Sequence, residues 1–263
     1  MKDNFFQDKI VVITGASSGI GRVTAVEMAK AGAKVALAAR RQNLLEEVAT
    51  EIRSLGREAL VIPTDVTDIT QIEQLVKEVV KRWGRIDILV SNAGQYIREP
   101  IEKLNIETVH RSMQVNYYAG VNAIIAVLPY MRAQKGGHIV VVTSMNGKIG
   151  VPPDAPYVSA KFALTGFATV LRQELSGTGI YVSNILPGRV ETPMIDELRV
   201  PWISAKISSE SVARVIMRAI RKRQPEVIIP TRALLLYYLY VFSPRASDWV
   251  SRRFKLDGWG MGS

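Results

Sequence analysis

The chain contains no cysteine. Disulfides, thiolate catalysis and cysteine-based zinc sites are thereby excluded, and nothing points to an oxidising compartment. Histidine is nearly as scarce, with His110 and His138 the only two in 263 residues. They stand far apart and outside any HExxH pattern, so no metal centre is expected. Apolar runs are short. The run Ala233–Phe242 would span ~15 Å as a helix, about half of a bilayer core, which is too little to cross a membrane. Met1–Asp8 holds no apolar segment of signal length. The expected location is therefore cytoplasmic, either soluble or peripheral on a membrane surface.

What is present is a globular composition, 48% hydrophobic and 22% charged, in a chain long enough to bury one substantial core. No linker or internal repeat divides it. The expected layout is one domain over residues 1–230, with a lid at about 190–210, followed by a tail over 231–263. The net charge of +10 is unevenly spread, since residues 201–263 carry 11 Lys/Arg against 4 Asp/Glu. Such a patch suits nucleic acid or an anionic membrane. No nucleic-acid motif accompanies it, so no nucleic acid is expected.

Seven short apolar runs alternate with helical patterns: Lys9–Gly15, Ala33–Ala39, Ala59–Asp65, Ile86–Gly94, Gly137–Ser144, Gly179–Gly188 and Glu226–Pro230. Between them, Ile72, Leu75, Val76 and Val79 keep a helical period, and a long helical region is expected to end near Met131. Continuous rather than alternating Val/Ile/Leu runs mark strands buried on both faces. The expected fold is α/β: a doubly wound Rossmann fold whose seven-stranded parallel sheet is flanked by helices on both faces. Ligands of such sheets sit at the carboxyl ends of the strands.

The first strand runs directly into TGASSGIGR, Thr14–Arg22. Gly15, Gly19 and Gly21 there permit a tight turn and close approach of a pyrophosphate to a helix N-terminus. The plain alternative is a glycine turn used for packing alone. The spacing is GxxxGxG. Together with Asn92–Gly94, Ser144, the YVSAK of Tyr157–Lys161 and the PGRVETP of Pro187–Pro193, it resembles the classical short-chain dehydrogenase/reductase family. The resemblance covers nearly all of residues 8–230.

That resemblance implies a nicotinamide cofactor held by Gly15, Ser17, Ser18, Gly19, Ile20 and Gly21. It places Asp65 and Val66 at the adenine, and Asn92, Ala93 and Gly94 along the adenosine side. Asp65 has a plainer reading as a stabiliser of its own loop. Members that prefer NAD carry an aspartate where Ala39 stands here, and Arg40 and Arg41 follow it. A carboxylate would repel a 2′-phosphate, whereas a guanidinium can bind one. The expected cofactor is NADP(H), with Arg40 the stronger candidate because it comes first after the strand. The alternative is that both arginines are solvated.

Reduction of a carbonyl needs a hydride and a proton for the developing alkoxide. A free tyrosine holds its proton to about pH 10, and a nearby ammonium favours the phenolate. Positions i and i+4 share a helix face, so Lys161 is expected beneath Tyr157, lowering its pKa. By resemblance, Tyr157 is the acid/base and also meets the cofactor, Lys161 binds the ribose, and Ser144 steadies the carbonyl oxygen. Asn116 holds a water that serves the lysine. Pro187, Gly188, Val190 and Thr192 contact the nicotinamide end. Phe162 and Leu164 read as packing.

The tail Ala233–Phe242 reads as an apolar helix that packs on the domain or a second subunit, or lies on a membrane. Trp249, Val250 and Phe254 share a face beside Arg245, Arg252, Arg253 and Lys255, which suits a membrane interface. Met194, Trp202 and the stretch 195–207 are the expected lid. The expected partners are a small lipophilic carbonyl or alcohol (steroid-like or a 3-oxo lipid) and a second copy in a homodimer or homotetramer. The membrane surface is a further candidate partner. The competing functional reading is a catalytically idle NADP-binding sensor or scaffold, which the presence of Asn116, Ser144, Tyr157 and Lys161 together disfavours. An epimerase or dehydratase of the wider superfamily would need a larger substrate domain.

Overall fold

The computed structural model describes residues 4–201 and 204–256. Seven parallel strands run β1 (Ile10–Thr14), β2 (Lys34–Ala39), β3 (Ala59–Pro63), β4 (Ile88–Ser91), β5 (Gly137–Val142), β6 (Ile180–Pro187) and β7 (Glu226–Ile229). Their order across the sheet is β3-β2-β1-β4-β5-β6-β7. Val12 pairs with Ala36 on one side and Leu89 on the other. The chain therefore winds outward in both directions from β1, and a crevice opens where β1 and β4 diverge.

Alternation inside each apolar run serves two cores at once, because successive side chains leave opposite faces. Val11 and Ile13 join Val35, Leu37, Val90 and Val140. Ile10 and Val12 join Ala36, Leu89, Ile139 and Val141 on the other face. The first face is covered by α1 (Gly19–Lys30), α2 (Gln42–Ser54) and α7 (Ser209–Lys222), the second by α3 (Ile69–Trp83), α5 (Ala119–Ala133) and α6 (Ala155–Glu174). The expected period of α3 is met: Ile72, Leu75, Val76 and Val79 are its buried residues, Asp68 caps its start and Gly84 ends it in the left-handed region.

The structure corrects four expectations. The long helical region splits into α4 (Ile106–Met113), a π-turn at Gln114–Tyr118 and α5. The strands stop short of their expected carboxyl ends, so Asp65, Asn92–Gly94, Ser144 and Gly188 lie in the turns beyond them. Beyond β4 a side chain claims the backbone: the N–H groups of Asn92 and Ala93 both donate to Thr14 Oγ1, at 3.0 and 3.1 Å. Leu164 packs as expected, but Phe162 is exposed. In the tail, Trp249 is exposed while Val250 turns toward a cavity, so the two do not share a face.

The tail forms two helices, α8 (Ala233–Phe242) and α9 (Pro244–Arg253), packed on each other. Two arginines strap it to the segment after β6. Arg189 donates to Ser204 Oγ at 2.6 Å and to the carbonyl of Leu256, and Arg232 donates to Ala205 O at 2.9 Å. Among the described residues no helix is long and apolar enough to cross a membrane.

Candidate active site

A cavity of about 480 Å³ opens at the carboxyl edge of the sheet. At one end lie Gly15, Ser18, Gly19 and Ile20 of the glycine turn, with Asn92, Ala93 and Gly94 of the β4 turn beside them. Gly15 and Gly19 have φ of +67° and +54°, conformations that suit glycine. A Cβ on Gly15 would meet Ala93 Cα at 2.9 Å, and one on Gly19 would meet Thr192 Cγ2 at 2.8 Å. The turn is thus pressed between the β4 and β6 loops. Asn92 is its clamp, donating through Nδ2 to the carbonyls of Thr14 and Gly15 at 3.1 and 3.4 Å. The first turn of α1 carries no acidic residue, which leaves its N-terminus suited to an anion.

Ser17, Gly21, Arg40, Arg41, Asp65 and Val66 lie outside the lining of this cavity. Arg41 reaches back to the glycine turn and donates to Ser17 Oγ at 3.2 Å and Ser18 Oγ at 3.1 Å. Arg40, the expected first choice, is exposed, and its charge adds to the lowering of the Asp65 pKa. The larger causes of that lowering are the Thr67 N–H and hydroxyl, which donate to Asp65 at 2.9 and 2.7 Å. Asp65 therefore holds its own loop, its plainer reading. Val66 is buried against the second core, and Gly21 sits against the Gly15 carbonyl.

At the base of the cavity Ser144, Tyr157 and Lys161 converge, all buried. Tyr157 and Lys161 share a face of α6, with Lys161 Nζ 5.7 Å from the Tyr157 ring centre. Nζ donates to Val142 O at 3.3 Å. Ser144 starts the turn Met145–Gly147 and accepts the N–H of Asn146 at 3.1 Å. Burial pushes the Tyr157 phenol up to about 12, against the pull of a hydrogen bond with Ser144. It pushes the Lys161 ammonium down to about 8. The phenol is thus raised rather than lowered, because desolvation is the largest cause acting on it and the Asp154 charge adds to it, against the lowering by Ser144.

Asn116 lies in the π-turn and is buried. Its side chain accepts from Gln95 N at 3.0 Å and donates to Gln95 O at 2.9 Å and Ser112 Oγ at 3.3 Å. It clamps the β4 loop and also lines the cavity, with one side-chain oxygen lone pair still open. Pro187, Gly188, Val190 and Thr192 line the cavity as expected. Gly188 is close to Pro230 Cδ, 3.3 Å from where its Cβ would sit. From the expected lid, Met194, Ile195 and Leu198 form a wall, joined by Leu235, Leu236 and Leu239 of α8. Trp202 lies outside the described residues.

The sequence profile of the short chain dehydrogenase family matches residues 9–201. This chain belongs to that family. It is 32% identical to a dehydrogenase/reductase SDR family protein 7-like of Drosophila melanogaster, over 97% of this chain and 83% of the fly protein. It is 35% identical to a fatty acyl-CoA reductase of Acinetobacter baylyi, over 90% of this chain and 80% of that one. Among solved structures, an alcohol dehydrogenase from Thermococcus sibiricus complexed with 5-hydroxy-NADP superposes with a TM-score of 0.75 at 26% identity. That match covers 85% of this chain and 96% of the archaeal one. The short-chain dehydrogenases are oxidoreductases that use a nicotinamide cofactor, and this chain is an oxidoreductase of that family.

Sequence reasoning missed Tyr96, Asn146 and Asp154, which also line the cavity. Asp154 precedes a helix, a position that suggests a cap, yet its side chain caps nothing. Nothing in the sequence pairs it with Tyr96.

Proposed function

We propose that this protein is an NADP(H)-dependent oxidoreductase that interconverts a carbonyl and a secondary alcohol on a lipophilic substrate. The observation that carries the reading is one cavity that runs from the glycine turn to Ser144, Tyr157 and Lys161, with apolar walls from the lid and the tail. When bound, the nicotinamide supplies or accepts the hydride. The residues of the chain handle the proton and the geometry. The Asn146 N–H takes one lone pair of Ser144 Oγ, and the serine O–H, which meets Tyr157 here, would turn to donate to a carbonyl oxygen. Tyr157 would deliver the proton to the alkoxide. Lys161 spends one donor on Val142 O and keeps two for ribose hydroxyls.

Support for NADP(H) comes from Arg41, which lies on Ser17 and Ser18 and is well placed for a 2′-phosphate. The NADP derivative in the Thermococcus structure and the acyl-CoA substrate named for the Acinetobacter relative are consistent with this cofactor and substrate class. The test is direct binding. Wild type should bind NADPH more tightly than NADH, and Arg41→Ala should erase more of that preference than Arg40→Ala. Tighter NADH binding by the wild type would sink the cofactor assignment. A screen of NADPH oxidation over steroids, 3-oxoacyl thioesters, sphingoid ketones and simple aldehydes then tests the substrate class. Turnover restricted to the simple aldehydes would refute a lipophilic substrate. Tight NADPH binding with no turnover across the set would favour the sensor reading.

Two surfaces bear on partners. Ile125 of α5 and Phe162 and Val170 of α6 are exposed apolar residues on helices that flank the sheet. We assign this face to a second copy of the chain. The outward face of α8 carries Leu235, Tyr238, Val241 and Phe242, all exposed. Beside it, α9 exposes Arg245, Trp249, Arg252 and Arg253, with Asp248 the one acid among them. An uncharged face next to a cationic, aromatic one suits an anionic bilayer surface, and α8 is also a wall of the substrate cavity.

A further inference from the structure

Asp154 is 1% exposed and stands at the head of the helix that carries Tyr157. Tyr96 Oη donates to it at 2.5 Å, Arg98 Nε at 3.0 Å and Asn146 Nδ2 at 3.1 Å. Tyr96 and Arg98 come from the loop after β4, and Asn146 from the turn after β5. One carboxylate therefore ties together the three segments that build the catalytic wall. All three neighbours donate, so the ionised carboxylate is the form that satisfies them. Desolvation raises the carboxyl's pKa, and Tyr96, Arg98 and Asn146 offset part of that cost.

Two of these partners touch the catalytic groups. The Tyr96 ring stands edge-on to the Tyr157 ring, with centres 5.0 Å apart and planes at 90°. This geometry is favourable for aromatic pairs and restricts how the Tyr157 ring can tilt. The main-chain N–H of Asn146 donates to Ser144 Oγ, which holds that oxygen in place while its own proton stays available to the Tyr157 phenol or a substrate oxygen. An ordinary internal staple has no need to lie on the cavity wall, yet Tyr96, Asn146 and Asp154 all do.

We propose that Asp154 is a positioning residue for both proton-donating groups: through Tyr96 it fixes the Tyr157 phenol, and through Asn146 it fixes the Ser144 hydroxyl. The proposal rests on the carbonyl reductase reading of the site. Around Tyr157 the charged and titratable groups are Asp154 and Lys161 from its own helix, Tyr96 and Arg98 from the β4 loop, and Arg189 from the β6 turn, whose charge reaches Tyr96. Of these, Asp154 acts directly to raise the phenol.

Two variants test this. Tyr96→Phe keeps the ring and removes only the donated hydrogen bond, and Asp154→Asn keeps the shape and removes the charge. In each, kcat should fall about tenfold or more, while KM and the Kd for NADPH stay within about twofold of wild type. A kcat within about twofold of wild type in Tyr96→Phe overturns the proposal. A second measurement needs no substrate: tyrosinate absorbance against pH, with each protein read against its own Tyr157→Phe form. Asp154→Asn should move the Tyr157 ionisation to lower pH, and an unmoved ionisation overturns the proposal. Should the wild type reduce no carbonyl at all, the reductase reading fails on its own account, and the titration still decides the role of Asp154.

Discussion

A tyrosine four residues before a lysine occurs on many helices. Tyr157 and Lys161 differ because both are buried in the wall of a cavity, which costs their charged forms solvation. Removing the hydroxyl alone, as Tyr157→Phe, should leave NADPH binding nearly intact and lower turnover about a hundredfold or more. Fluorescence titration and steady-state kinetics check the two halves, and wild-type turnover would remove Tyr157 from the chemistry. His138 shows the same physics without the chemistry. It is buried, hydrogen-bonded to Ser183 Oγ at 2.8 Å, and held down to about 4 by burial and by Arg223. In the unfolded chain it would titrate near 6.5. Between those values the unfolded chain binds the extra proton, so the stability from neutral His138 is complete above 6.5 and is lost as pH falls toward 4. Unfolding free energies of wild type and His138→Gln should show a gap that shrinks by roughly 3 kcal/mol across that window. A pH-independent gap would refute a buried neutral imidazole.

At the scale of elements, capping and turn chemistry decide where the site residues fall. The end of β4 read from its apolar run overshoots, because Asn92 and Ala93 turn away to bind the Thr14 side chain. The π-turn at Gln114–Tyr118 has no signature in hydrophobic period, yet it is where Asn116 sits. The two tail helices divide their labour by face. In α8, Leu236 and Tyr240 pack inward while Phe242 is 84% exposed. Changing Tyr238, Val241 and Phe242 together to serine should abolish co-sedimentation with anionic vesicles and leave the melting temperature within a few degrees, since exposed side chains contribute little to folding. Equal pelleting of wild type and variant would end the membrane reading. Pelleting on neutral and anionic vesicles alike would remove the arginines from it.

At the scale of the whole molecule, one sheet edge collects every chemical group, and the helical flanks are left to meet partners. Ile125, Phe162 and Val170 lie on the helices that cover the second core, while α8 packs on a separate cluster around Met145, Ile149 and Leu186, so a second copy and a bilayer need not compete for one surface. The pair Ile125→Glu and Val170→Glu should convert the protein to monomers in light scattering, since a charge buried in an apolar interface is costly. An unchanged mass would move the interface elsewhere.

Much of this molecule was legible from residues alone. Seven continuous apolar runs specify a parallel sheet buried on both faces, because periodicity is a local property of the chain. The glycine turn, Ser144 and the Tyr157–Lys161 pair are readable for the same reason: each motif is contiguous or one helical turn long. The folded structure decided the rest. Arg41 on Ser17 spans 24 residues, Tyr96 on Asp154 spans 58, and Arg189 on Leu256 spans 67. No local pattern encodes which distant side chains will meet. The direction of the Tyr157 shift belongs to the same class. Lys161 alone predicts a fall, whereas burial by surrounding segments raises the phenol, and burial exists only once the chain has closed on itself.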